Sequence, residues 1–192
     1  MVKVKANGNR VVIGCSFHHR RQGEIGKFNS LSHSGLPNVL DNWTLDDFNA
    51  YVLCPLLKSS SWAEQKNSVD ELIKKIIKEN DISRNKIILV GHSLGGYGVF
   101  DIANKNANFY SAFVVLSGYN PGNKYSLDQF KNIPTRGYYG YEDSSFMSNE
   151  FKNLFGYSKN VKVAHGTVPK VAFNLDENKD NKSDLIEWML SQ

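Results

Sequence analysis

The sequence predicts an α/β fold, a mostly parallel sheet with helices on both faces, and three observations lead there. Short apolar runs such as "KIILVGHS" (86–93) and "SAFVVLSG" (111–118) read as strands buried on both sides. Stretches with helical periodicity lie between them. Strands that alternate with helices at this spacing need crossover connections, and crossovers leave neighbouring strands parallel. A chain of 192 residues is long enough for a sizeable core, so one domain spanning 1–192 is expected.

Taken in order, "VKVKANGNRVVIGCS" places Asn7 and Gly8 between two strand-like runs, a hairpin signal. "AYVLCPLL" (50–57) reads as a buried strand ended by Pro55. In "SVDELIKKIIKEN", Ser68 and Glu71 have capping-box spacing, and Val69, Leu72, Ile73, Ile76 and Ile77 line one helical face. "KIILVGHS" is a strand with a β-branched core, and "LGGYGVFDIANKN" reads as a helix despite its glycines. "SAFVVLSG" and "TRGYYGY" (135–141) are further strands. "NEFKNLFGY" reads as a short helix, "NVKVAHG" (160–166) as a strand, and "SDLIEWMLS" as a closing helix capped by Ser183.

Composition removes several function classes. At 41% hydrophobic and 22% charged the chain is ordinary for a globular domain. The net charge of +4 comes without a basic stripe, which argues against nucleic acid. The "HHRR" run from His18 through His19 and Arg20 to Arg21 is the one local basic cluster, ordinarily a solvated face. No signal-peptide pattern and no long apolar segment is seen, so no membrane association and a cytoplasmic location are expected. Cys15 and Cys54, the two cysteines, sit in strand-like runs and read as buried thiols. Ligand spacing for a metal is missing apart from the adjacent His18 and His19, so no metal is expected. Neither a dinucleotide-binding GxGxxG nor a phosphate-binding GxxxxGK[ST] is present, and no cofactor is expected.

Chemistry enters at "GHSLG" (91–95), a G-x-S-x-G with an apolar strand before it and a helix after it. On such a corner Ser93 needs neighbours without bulk, and Gly91 and Gly95 provide them. The helix amino terminus beneath the hydroxyl favours developing negative charge. A serine hydroxyl still needs a base, itself oriented by an acid, and on this kind of corner the chain order is serine, acid, histidine. Of the five histidines, His18, His19 and His33 precede Ser93 and His92 is its neighbour, which leaves His165. Among the intervening acids, Asp101 falls on the helix after the corner, Asp128 in a loop, and Glu150 at a helix start. Glu142 and Asp143, just past the strand "TRGYYGY", occupy the place where the acid belongs.

These residues together resemble the esterases of the α/β-hydrolase superfamily, in particular the phospholipase/carboxylesterase, dienelactone-hydrolase-like and feruloyl-esterase-like group. The likeness runs through "VVIGCSFHHRRQGEIG", "LSHSGLPNVL", "YVLCPLL", "SSSW", "GHSLGGYGVFDIA", "GYEDSS" and "VKVAHG" in order, over most of the chain. It implies a compact α/β-hydrolase fold with trimmed early strands and no large lid. "GYEDSS" is similar to the group's G-x-D-D corner, whose second acid is catalytic, and this selects Asp143 over Glu142. The oxyanion hole is expected from the N–H of Leu94 and a second N–H in the loop after the first apolar strand, best assigned to Ser16 with Cys15 and Phe17 as rivals. That loop departs from the group, having Gly14-Cys15 where relatives begin with His-Gly.

The resemblance therefore implies a serine hydrolase that cleaves a carboxylic ester through an acyl-enzyme formed on Ser93, with His165 and Asp143 completing the triad. A non-catalytic binding module on the same fold is the alternative, and the altered His-Gly motif is what favours it. Substrate contacts are expected from Phe17, His18, Arg20 and Tyr119, with the basic cluster drawing an anionic ester end and further tyrosines (125, 138, 139 and 141) offering aromatic walls. The expected partner is a small-molecule or carbohydrate-linked ester.

Overall fold

A strand buried on both faces must alternate its side chains between two cores, and the central strands of this protein do so. The computed structural model describes residues 11–15, 50–55, 57, 61–118, 125–143, 149, 158–173 and 184–192. In chain order these form β1 (Val11–Cys15), β2 (Tyr51–Leu53), α1 (Trp62–Glu79), β3 (Ile87–His92), α2 (Leu94–Ala103), β4 (Ala112–Leu116) and β5 (Thr135–Tyr139). β6 (Ser158–Asn160), α3 (Val168–Ala172) and α4 (Asp184–Ser191) follow, with short 3-10 turns between. The sheet order is β2-β1-β3-β4-β5-β6, and every neighbouring pair is parallel.

Ile87 and Leu89 of β3, with Phe113 and Val115 of β4, pack on one side against Val69, Ile73 and Ile77 of α1 and Val99, Phe100 and Ile102 of α2. Ile88 and Val90, with Val114 and Leu116, face the other way onto Val168, Ala172 and Phe173 and onto Leu185, Ile186 and Met189 of α4. Helices thus cover both faces, as the alternating pattern predicts. Cys54 is buried at 2% exposure on the second side.

The Asn7–Gly8 turn lies outside the described residues. Two local expectations are corrected. α1 starts at Trp62, well before the Ser68 capping box. Ser61 stands in extended conformation before it, and its hydroxyl donates to Glu64, three residues on, at 3.4 Å. The cause is Trp62, which is 1% exposed and draws the earlier turns into the core. Finally, the strand expected at 160–166 ends at Asn160. Lys162 takes φ 53°, its N–H donates to the Asn160 side chain at 2.8 Å, and the chain turns off the sheet. The helix expected at 149–157 and the Ser183 cap lie outside the described residues, save for Asn149, which is helical.

The glycines in α2 are there for close packing. A Cβ on Gly98 would lie 2.3 Å from Trp62 Cδ1, and one on Gly96 would lie 2.5 Å from the Cα of Gly118, beyond β4. Gly96→Ala gains at most about 1 kcal/mol of helix propensity. Forcing backbone apart in a packed core costs about 1–3 kcal/mol or more. The variant is expected to be destabilised despite its better helix former, which a shift in the urea midpoint at constant slope would measure.

Candidate active site

The carboxyl ends of β3, β4 and β5 and the segment after β6 carry the polar residues that meet, on the sheet edge where parallel α/β folds bind ligands. Ser93 follows β3 directly. Its φ of 55° and ψ of −119° lie in a region that residues with side chains rarely occupy. The corner is pinned on both sides: its N–H donates to Leu116 O at 2.8 Å and its carbonyl accepts from Tyr97 N at 3.3 Å. Gly91 and Gly95 make the corner sterically possible, since a Cβ on Gly91 would lie 2.0 Å from Gly95 O. Leu94 opens α2, and the amides of a first helical turn have no acceptor within their own helix. The Leu94 side chain is 36% exposed.

Asp143 stands after β5, where the chain curls tightly. Its N–H donates to Gly140 O at 3.3 Å and its Oδ2 accepts the Gly140 N–H at 2.6 Å. Ser117, just past β4, donates its hydroxyl to the same Oδ2 at 2.7 Å. The other oxygen, Oδ1, accepts from His165 Nδ1 at 2.6 Å. With the Asp143 side chain only 1% exposed, this is a short, shielded pair. Glu142, the neighbouring acid, is exposed, so Asp143 is the one that meets the histidine.

His165 opens a 3-10 turn, His165–Thr167, in the segment that has left the sheet. Tyr141 N donates to Val163 O at 3.0 Å, and a Cβ on Gly140 would come within 2.3 Å of that oxygen. Only glycine lets the histidine segment lie this close against the acid's turn. From the serine side, the His92 ring donates through Nε2 to His165 O at 3.1 Å, and the two rings stand 5.1 Å apart. His165 is thus tied to the acid through its ring and to the serine's own strand through its main chain. A carboxylate at Nδ1 fixes the proton there and leaves Nε2 as the acceptor.

Electrostatics follow from these contacts. Burial pushes the Asp143 pKa up, but the bonds from His165, Ser117 and the Gly140 N–H outweigh it and hold the carboxyl below its usual range. The bond to Asp143 raises the His165 pKa above its ordinary 6.5; partial burial opposes this, and the charges of Asp143 and Glu142 add to the rise.

Other anticipated residues fall elsewhere. Asp101 is buried and accepts from the Tyr125 hydroxyl, and Asp128 pairs on the surface with Lys131 at 2.5 Å. Tyr138 and Tyr139 are core residues on opposite faces of β5, because consecutive strand positions alternate, so neither forms a substrate wall. Tyr141 is 61% exposed. Ser16, Phe17, His18, His19, Arg20, Arg21, Tyr119 and Glu150 lie outside the described residues. Sequence reasoning missed the parts played by His92, Ser117 and Gly140. Their signal was present as small or polar residues directly at strand ends, but which neighbours they reach depends on sheet order. Among the described residues there is no group of three or more His, Cys, Asp or Glu side chains able to hold a metal, and no helix long and apolar enough to cross a membrane.

Solved structures resemble this chain throughout its length. A thermostable esterase superposes with a TM-score of 0.65 at 18% identity, covering 96% of this chain and 55% of its own, so the protein spans about half that relative. MGS-MChE2, an alpha/beta hydrolase from a lagoon-sediment metagenome, gives 0.61 at 15% identity over 99% of this chain and 94% of its own. The fold is that of the α/β hydrolases. A further likeness is to FphF, a fluorophosphonate-binding serine hydrolase of Staphylococcus aureus, with a TM-score of 0.64 at 12% identity over 98% of this chain and 86% of that one. No protein-family model matches the sequence, and no curated protein matches it.

Proposed function

We propose that this α/β-hydrolase chain is a serine hydrolase that cleaves carboxylic esters through an acyl-enzyme, without a cofactor. The observation that carries the reading is the 2.6 Å bond between buried Asp143 and His165, on the sheet edge where Ser93 occupies its left-handed corner. The names of the structural relatives, a thermostable esterase and a serine hydrolase, agree with it.

Ser93 Oγ attacks the ester carbonyl while His165 Nε2 takes its proton. Asp143 keeps the imidazole in the required tautomer and stabilises the cation that forms. The N–H of Leu94, and a second from the segment after β1 assigned to Ser16, hold the oxyanion. Protonated His165 then gives its proton to the departing alcohol. Water, activated by the same imidazole, releases the acid and frees Ser93.

The substrate is a small-molecule or carbohydrate-linked ester. A panel of p-nitrophenyl esters of increasing acyl length, with acetylated sugars and hydroxycinnamate esters, is expected to show turnover with at least one member and an initial burst where deacylation is slow. No hydrolysis across the panel by folded protein would favour a binding module instead.

The raised His165 pKa fixes a pH dependence. Only neutral imidazole accepts the serine proton, so kcat/KM should rise with pH through the pKa of the free enzyme's histidine. That midpoint is expected above 6.5, on the side to which Asp143 moves it. Asp143→Asn removes the charge and should move the midpoint down. A wild-type midpoint below that of Asp143→Asn would contradict the assignment.

A further inference from the structure

Ser117 takes no part in the mechanism above, yet several features converge on it. It is 1% exposed and adopts φ 47°, a left-handed conformation that favours glycine. Its N–H donates to Tyr138 O at 2.7 Å and its hydroxyl to Asp143 Oδ2 at 2.7 Å. Behind it, a Cβ on Gly118 would come within 2.4 Å of Gly96 Cα, so the turn is clamped against α2. A costly backbone conformation persists where its surroundings over-determine it, and such residues cluster at functional sites.

We propose that Ser117 is a positioning residue for ester hydrolysis: its hydroxyl fixes the Asp143 carboxylate so that Oδ1 faces His165. The argument rests on the Ser93, Asp143 and His165 reading. A carboxylate can rotate about its last side-chain bond and present either oxygen. Two donors on Oδ2, from Ser117 and the Gly140 N–H, give that oxygen a full set of partners and leave Oδ1 for the imidazole. The Gly140 donor is main chain and comes from within the acid's own turn. Ser117 comes from a different strand, so it anchors the carboxylate to the rigid sheet that also carries Ser93 at the next strand end. Its competing role is steric, a small residue in a crowded turn. Glycine separates the two roles, since it suits the backbone better than serine does and has no hydroxyl.

The test compares Ser117→Ala and Ser117→Gly in the wild type and in Asp143→Asn, with Ser93→Ala as control. A hydrogen bond to a charged group implies that kcat falls about 10- to 100-fold in both Ser117 variants, with KM changed less than about twofold. In the Asp143→Asn background the same substitutions should add little, because the carboxylate is already replaced by an amide and the imidazole proton is already misplaced. The low-field Nδ1–H resonance of His165 should broaden or shift in both variants. The proposal is overturned if both Ser117 variants keep wild-type kcat, if alanine loses activity and glycine does not, or if the loss persists in Asp143→Asn. Should Ser93→Ala keep full activity, the nucleophile reading itself fails. The His165 resonance then decides on Ser117 alone, an unchanged signal overturning its role.

Discussion

Ser93→Ala is expected to lower kcat by about 10⁴-fold or more, and His165→Ala by a similar factor, by analogy with other serine triads. The two side chains share one task. A hydroxyl without its base is a weak nucleophile, and a base without the hydroxyl has no proton to take. Combining the two substitutions should therefore cost little beyond either one. Two independent losses would instead multiply. Both side chains are only partly buried, and Ser93→Ala removes no charge. His165→Ala takes the Oδ1 partner from the buried Asp143 carboxylate, but Ser117 and the Gly140 N–H still hold Oδ2. Each variant should therefore fold, the histidine one at some cost in stability, which circular dichroism and a denaturation midpoint at unchanged slope would measure. A single variant retaining near wild-type kcat would reject the role of that residue.

The second large effect is expected from Asp143→Asn, a loss of up to about 10⁴-fold in kcat, the scale that a wrong histidine tautomer produces in serine proteases. The amide can present an N–H toward His165 Nδ1, forcing the imidazole proton to Nε2, where it blocks acceptance from Ser93. Ser117 and the Gly140 N–H, both donors to Oδ2, favour an oxygen on their side and so turn the amide nitrogen toward His165. Glu142→Gln should change kcat only a few-fold. Its side chain is exposed and reaches His165 through charge alone, which water and salt screen. Reversed magnitudes would move the acid one residue earlier.

The fold was legible because a doubly covered parallel sheet leaves a strong trace: β3 and β4 are apolar at every core position, so no face had to be guessed. Elements whose limits depend on a distant partner were misplaced. Trp62 starts α1 early because a groove exists at Gly98, and β6 stops early because its segment turns to lie over Gly140. At the candidate site, spacing and order single out Ser93 and His165, since the corner needs its glycines and chain order leaves one histidine. The acid was harder. Residue chemistry leaves Glu142 and Asp143 equivalent, and the likeness of "GYEDSS" to the G-x-D-D corner is what singles out Asp143. The Gly140 turn gives the physical reason that Asp143 points at the imidazole. Ser117 and His92 could not be assigned at all, because their partners lie on neighbouring strands and in segments remote in sequence.

The most direct test of the account is the mass of the intact protein after brief exposure to a fluorophosphonate, followed by peptide mapping. Reaction needs a nucleophile activated by its neighbours, and it requires no knowledge of the natural ester. The account predicts one adduct per chain, on Ser93, lost in Ser93→Ala and strongly slowed in His165→Ala. An unmodified Ser93 in folded wild-type protein, or labelling that continues undiminished in Ser93→Ala, would contradict it.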